Sequence, residues 1–298
     1  MLNQIHGLRY AFGIGTLSLL LAGAPPALAQ TGLLVVAHGA NAEWNARVRE
    51  TARQVRWTHG PMAVAFLMGS EADSAGWDRG VDALLAAQAK SIVVVPLMVS
   101  SYGGHYHEIE YYAGIRDSVA GHHMEMRHRP PPVPARVTPA LDAAPELGAA
   151  LVARWSALSE RDRNRPVLLV AHGPSNPDDA GRWLVNLRSA AGALPGAGLR
   201  APFAVALLWD DADPPLRAAA VAAMRDTVNG LATASRDSVT VIAVLISSGS
   251  IDRQKLPVDL EGLPVRYTPT PLAPLPALAH WIERSAAAAL GAIPEGDR

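Results

Sequence analysis

The heptapeptide Leu33-Leu34-Val35-Val36-Ala37-His38-Gly39 returns almost unchanged as Val167-Leu168-Leu169-Val170-Ala171-His172-Gly173. Each copy is a short run of apolar, partly β-branched residues closed by a His-Gly step, the pattern of a parallel strand covered on both faces. Open α/β sheets bind ligands beyond the carboxyl ends of such strands, so each histidine falls where a ligand is met. Further along, Ala65-Phe66-Leu67-Met68 is echoed by Ala206-Leu207-Leu208-Trp209, and the run from Val94 to Ser101 by that from Val241 to Ser248. The copies stand 134, 141 and 147 residues apart at His38, Ala65 and Val94, growing only by loop-sized steps. Such a period is far too long for a solenoid array and reads as a duplicated lobe.

Within the first copy, Asn41 is placed to cap a helix carrying Trp44, Val48, Ala52 and Val55 at helical spacing. Residues 63–67 read as a second strand, Trp77, Val81, Leu84 and Leu85 as a second amphipathic helix, and residues 91–99 as the most apolar strand. This β-α-β-α-β rhythm predicts a mainly parallel sheet with right-handed crossovers, flanked by helices. The second copy has its own helix start at Asp213-Pro214-Pro215 and a late strand over residues 239–246. A Pro-rich stretch at 130–134, a helix through Leu147, Leu151 and Trp155 and a charged run at 159–163 lie between the copies; a similar tail closes the chain through Leu278, Trp281 and Ile282. The expected division is a leader over 1–29, an active lobe over 30–160 and a degenerate lobe over 161–298, and the length suffices for two cores.

The leader is read from a modest positive charge at Arg9, a short apolar core over 11–22 and a small-x-small step, Ala27-Leu28-Ala29, before Gln30. This is the pattern of a cleaved secretory signal and predicts an exported, periplasmic protein with no stable membrane insertion. A formal net charge of −1, with both signs interspersed, gives no electrostatic footprint for nucleic acid. The chain has no cysteine, which excludes disulfides, a lipidated cysteine and thiolate ligands. It also lacks a Gly-x-Ser-x-Gly elbow and a Gly-rich dinucleotide fingerprint, so covalent hydrolysis has no obvious nucleophile and dinucleotide binding no fingerprint.

After the third strand the chain runs Ser100-Ser101-Tyr102-Gly103-Gly104-His105-Tyr106-His107-Glu108, read as a glycine-opened loop leaving the same sheet edge as His38. His38 and His105, with His107 and Glu108 beside them, form a candidate set for a divalent metal with positions left open. Such ligands accept Co²⁺, Ni²⁺, Fe²⁺ or Zn²⁺. His172 lacks this company, because Ser250 and Ile251 stand where a second histidine of its lobe would fall, and it reads as structural.

Taken together, these parts resemble the ATP-independent class II chelatases, in the two-lobed form of the sirohydrochlorin cobaltochelatase type. The resemblance rests on Val36-Ala37-His38-Gly39, Val64-Ala65-Phe66-Leu67 and Val93-Val94-Val95-Pro96-Leu97, followed by His105 in the family's second histidine position, with His107 as the alternative register. It implies insertion of a divalent metal, Co²⁺ foremost, into a tetrapyrrole such as sirohydrochlorin, as in cobalamin biosynthesis, with the metal as substrate and no nucleotide. His38 and His105 would bind the metal and help remove pyrrole protons, and Arg47, Arg49 and Arg116 are the candidates for the substrate's carboxylates. Family members carry Ser-Arg and an acidic residue where this chain has Ala40-Asn41 and Met68, with Glu71 and Glu108 as stand-ins. Those departures favour the alternative of a periplasmic metal or tetrapyrrole carrier without insertion activity. Separately, His122, Met124, Met126 and His128 would share one face of an extended strand, a Cu(I)-compatible set whose plain reading is an ordinary strand.

Overall fold

The computed structural model describes residues 30–119 and 129–291, so the leader and the histidine–methionine run at 122–128 lie outside the described residues. The first lobe runs β1 (Thr31–Ala37), α1 (Ala42–Arg53), β2 (Met62–Phe66), α2 (Ala72–Ala75), α3 (Trp77–Ala86), β3 (Ser91–Pro96), α4 (Gly104–Tyr112), β4 (Ala135–Val137) and α5 (Pro145–Ser156). The second runs α6 (Glu160–Arg163), β5 (Val167–Ala171), α7 (Pro177–Ala191), α8 (Ala193–Gly196), β6 (Phe203–Leu207), α9 (Pro214–Ser235) and β7 (Val239–Val244). A π-helical turn (Ile251–Lys255), α10 (Leu256–Asp259), β8 (Val265–Tyr267) and α11 (Pro276–Leu290) complete it. The sheets are all-parallel and share one plan, with strand orders β2-β1-β3-β4 and β6-β5-β7-β8.

Side-chain alternation along the strands divides the interior. Leu33, Val35 and Ala37 of β1 and Val93 and Val95 of β3 face a central core, together with Val167, Leu169 and Ala171 of β5. Leu34, Val36, Ile92 and Val94 face an outer core under α3 and α4, and Leu168, Val170, Val241 and Ala243 face its counterpart under α9 and α10. The two cores expected from sequence are therefore replaced by three, of which the central one belongs to both lobes. The closing helices are exchanged: α5 lies against α7 and α8, while α11 lies against β3 and α1. Trp281, Leu278 and Ile282 of α11 are fully or nearly fully buried there. This arrangement fixes one lobe against the other.

The expected elements form with shifted ends. Asn41 caps α1 by accepting from the Trp44 N–H, and Trp44, Val48, Ala52 and Val55 are its buried face. The strand read over 91–99 stops at Pro96, which has no N–H to donate to a further ladder bond. Each sheet gains a fourth strand of three residues, β4 and β8, that the sequence reading did not contain. Among the described residues no helix is long and apolar enough to cross a membrane.

Candidate metal centre between the lobes

His38 leaves the end of β1 on a backbone that only glycine tolerates. Gly39 follows at φ +85°, and a methyl group there would overlap the Met68 carbonyl; Gly69, also at φ +85°, is pressed in the same way against Ala40. The two loops are then tied by the Met68 N–H donating to the His38 carbonyl at 2.9 Å and the Ser70 N–H donating to that of Ala40 at 2.7 Å. Asn45 accepts from the Ala40 N–H and donates to Glu71, whose other oxygen holds Arg49. His38 is thus seated by backbone.

His105 arrives from the third strand, and here the sequence reading needs correction. The expected loop becomes a helix one residue past Gly103, so His105 stands in the first turn of α4 rather than on a loop. Its ring lies edge-on to that of His38, with centroids 4.6 Å apart. Helical geometry turns successive residues by about 100°, which carries His107 to another side of α4, 6.3 Å ring to ring from Tyr106. Glu108, one helical turn on, is fully buried and accepts from His105 Nδ1 at 3.2 Å while Tyr112 Oη donates to its other oxygen. Of the expected metal set, then, His38 and His105 meet ring to ring, Glu108 stands behind His105 with one oxygen toward it and the other toward Tyr112, and His107 lies on another side of α4 from His105; a carboxylate behind an imidazole is the usual arrangement for orienting one. Burial, the Glu108 hydrogen bond and its charge push the Tyr112 hydroxyl well up from its ordinary range, keeping it a donor.

The tautomers follow from the partners. A carbonyl only accepts, so the 2.6 Å contact from His38 Nδ1 to the Gly39 carbonyl puts the proton on Nδ1 and the lone pair on Nε2. Glu108 fixes His105 in the same form. Burial first, then the neighbouring His105, push the His38 imidazole down to about 4; the Gly39 carbonyl and Asp211 pull upward, and His172 pushes further down. His38 is therefore neutral at neutral pH, the state in which imidazole binds metal.

The three expected substrate arginines are occupied. Arg47 pairs with Glu43, Arg49 with Glu71 while its guanidinium lies over the Phe66 ring, and Arg116 with Glu110. Sequence reasoning passed over Arg182 of α7, whose guanidinium stacks 5.0 Å from the centroid of Tyr102, three residues before His105. It has no carboxylate within ion-pair distance among the described residues. Also passed over was the company of His172, which with Asp210 and Asp211 brings three potential ligand atoms within 4.8 Å of one another.

Two tandem parallel lobes, with a paired-imidazole site beyond the carboxyl ends of the first sheet's strands, define a two-lobed protein of chelatase fold. Residues 32–158, the first lobe, match the family model of CbiX. Among solved structures, SirB from Bacillus subtilis with Fe³⁺ is 17% identical, with 88% of this chain and 98% of that chain covered and a TM-score of 0.59. The sirohydrochlorin chelatase SirB from Bacillus subtilis subspecies spizizenii, in complex with cobalt, is 15% identical over 90% of this chain and 97% of its own, at a TM-score of 0.57. CbiX, the terminal enzyme for biosynthesis of siroheme in denitrifying bacteria, is 17% identical over 87% and 99%, at 0.54. No curated protein matches the chain in sequence.

Proposed function

We propose that the first lobe inserts a divalent metal into a tetrapyrrole without nucleotide hydrolysis, with Co²⁺ as the metal and sirohydrochlorin as the macrocycle. The observation that carries this reading is the His38–His105 pair, two imidazoles 4.6 Å apart with their lone pairs on Nε2. Insertion exchanges one M²⁺ for two pyrrole N–H protons, so the site must hold a metal with exchangeable positions and supply a base. The two histidines divide these tasks. His38, held neutral by burial, is a poor base and a ready ligand. His105, backed by the buried Glu108 carboxylate, shares the metal until the macrocycle nitrogens displace it; its freed Nε2 then takes each of the two pyrrole protons in turn, as an imidazolium that Glu108 stabilises, and passes it to water. Arg182, already ordered by its stacking on Tyr102, offers its donors to a peripheral carboxylate of the macrocycle.

The chain acts after export, with residues 1–29 removed as a signal; intact mass of the periplasmic protein is expected to place the new terminus at Gln30. The engagement of Arg47, Arg49 and Arg116 by carboxylates favours a second reading, a carrier that binds metal or tetrapyrrole without joining them. One assay separates the two. Co²⁺ and sirohydrochlorin are mixed with the protein and the absorbance change of insertion is followed. Acceleration over the uncatalysed rate, lost at least about 100-fold in His38→Ala/His105→Ala, supports the enzyme. Cobalt binding without acceleration rejects it in favour of the carrier.

A further inference from the structure

His172 closes β5 as His38 closes β1, with Gly173 at φ +83° and the Trp209 N–H donating to its carbonyl at 2.8 Å. Its Nδ1 contacts the Gly173 carbonyl at 2.9 Å, which fixes the proton there and leaves Nε2 as an acceptor. Yet Nε2 faces another acceptor, an Asp211 carboxylate oxygen, at 3.5 Å. Such a pair is matched by positive charge between the two atoms, a proton on Nε2 or a metal ion. Donors sharing one tetrahedral ion at bond lengths of about 2.0–2.1 Å stand roughly 3.4 Å apart, so the spacing suits a metal, whereas a charge-assisted hydrogen bond would be shorter. Asp210 adds a third ligand atom to the same 4.8 Å cluster, and its side chain is only 6% exposed. Trp209, immediately before the two aspartates, is held at φ +55°, where a bulky residue is strained.

We infer that His172, Asp210 and Asp211 form a second divalent-cation site, in the C-terminal lobe, separate from the His38–His105 pair. The site is built to exchange its ion. Lys255 Nζ lies 2.7 Å from Asp210 Oδ2 and Arg217 Nε lies 3.7 Å from its Oδ1, so a metal competes with an ammonium that is half exposed and able to swing away. The strand ends of the two lobes are tied together near both sites: Trp183 of α7 donates to the carbonyl of Tyr102, three residues before His105, and Ser247 donates to that of Trp44, six residues after His38. An ion held loosely here stands beside the pair that would receive it, a role that rests on the metal-binding reading of the first lobe. The site's existence does not.

Co²⁺ titration of the full chain, read by calorimetry and by the visible ligand-field bands, tests the inference. Two ions per chain are expected, one tight and one weak. Asp211→Asn and His172→Gln should each abolish the weak event and leave the tight one, His38→Ala/His105→Ala should do the reverse, and Lys255→Met should tighten the weak event about tenfold. Far-ultraviolet circular dichroism identifies any variant that fails to fold, and Asp211→Asn, being exposed and isosteric, carries the test alone if His172→Gln does. A single ion per chain, or a second ion indifferent to both Asp211→Asn and Lys255→Met, overturns the site. Two ions behaving as expected with no metal insertion would sink the proposed activity and leave this site standing.

Discussion

At the scale of single residues, the centre is governed by what stands behind each imidazole. If Glu108 orients His105 and His107 lies off the site, the two neighbours must respond differently to substitution. Glu108→Gln retains shape and loses charge, and is expected to weaken Co²⁺ binding at the tight site by about 10- to 100-fold; His107→Ala should leave it within about twofold under the same rule that only ligands and their partners matter. Equal losses in a titration of the two variants would return His107 to the ligand set. His38 makes a second demand, through its depressed protonation. The unfolded imidazole titrates near 6.5 and the folded one near 4, so between those values the unfolded chain binds more protons. Stability contributed at this position is therefore complete above about pH 6.5 and is lost as pH falls toward 4. Urea unfolding at pH 7 and pH 5 should show wild type losing no more than about 2 kcal/mol beyond what His38→Gln loses; identical losses would mean that the folded ring titrates normally.

At the scale of elements, the strongest constraint is the turn that follows β1. Gly39 carries a positive φ and has the Met68 carbonyl where a side chain would go, so Gly39→Ala combines backbone strain with overlap and should cost about 1–3 kcal/mol. Gly181, inside α7 and facing open space, provides the opposite case: Gly181→Ala should stabilise by up to about 1 kcal/mol through helix propensity. Thermal or denaturant unfolding that ranked the two substitutions in the same direction would refute this account of the turn. The same turn explains how much could be read from sequence. Strand ends bearing His-Gly were legible because the apolar run, the histidine and the obligatory glycine are contiguous in the chain. The start of α4 was not, because Gly103-Gly104 has weak helix propensity and the element is held by burial of Tyr106, Ile109 and Tyr112 instead. The strands β4 and β8 escaped for a related reason: three residues are too few to show a period. The pairing of His172 with Asp211 depends on the left-handed turn at Trp209, a conformation that no local rule assigns to tryptophan.

At the scale of the whole molecule, the exchange of α5 and α11 makes the two lobes one folding unit, although the sequence repeat suggests two. The inner face of the first sheet, Leu33, Val35, Val93 and Val95, is part of a core completed by Leu278, Trp281 and Ile282 from the end of the chain. Polar ties follow the same seam: Arg284 forms a two-pronged pair with Glu146 at 2.6 and 2.8 Å, Arg253 does so with Glu43, and Ser247 donates to the Trp44 carbonyl. Arg253 and Arg47 hold the exposed Glu43 carboxyl down at about 2, so this surface contact keeps its charge through the physiological range. Exposed pairs of this kind contribute little each, and it is the buried apolar face that decides autonomy. Removing α11 would uncover it: a side chain such as Trp281 alone, buried to 1% exposure, contributes about 3–5 kcal/mol by truncation to alanine, a large part of the ~5–15 kcal/mol that a domain possesses. Residues 30–158, which hold both His38 and His105 and the whole family match, should therefore fail to form a stable monomer and should self-associate or aggregate through the uncovered sheet face. Size-exclusion chromatography with light scattering, together with cooperative unfolding, decides the point. A monodisperse monomer that unfolds in one transition would show that the lobe is self-sufficient and that the seam between the lobes is an interface between two independent domains.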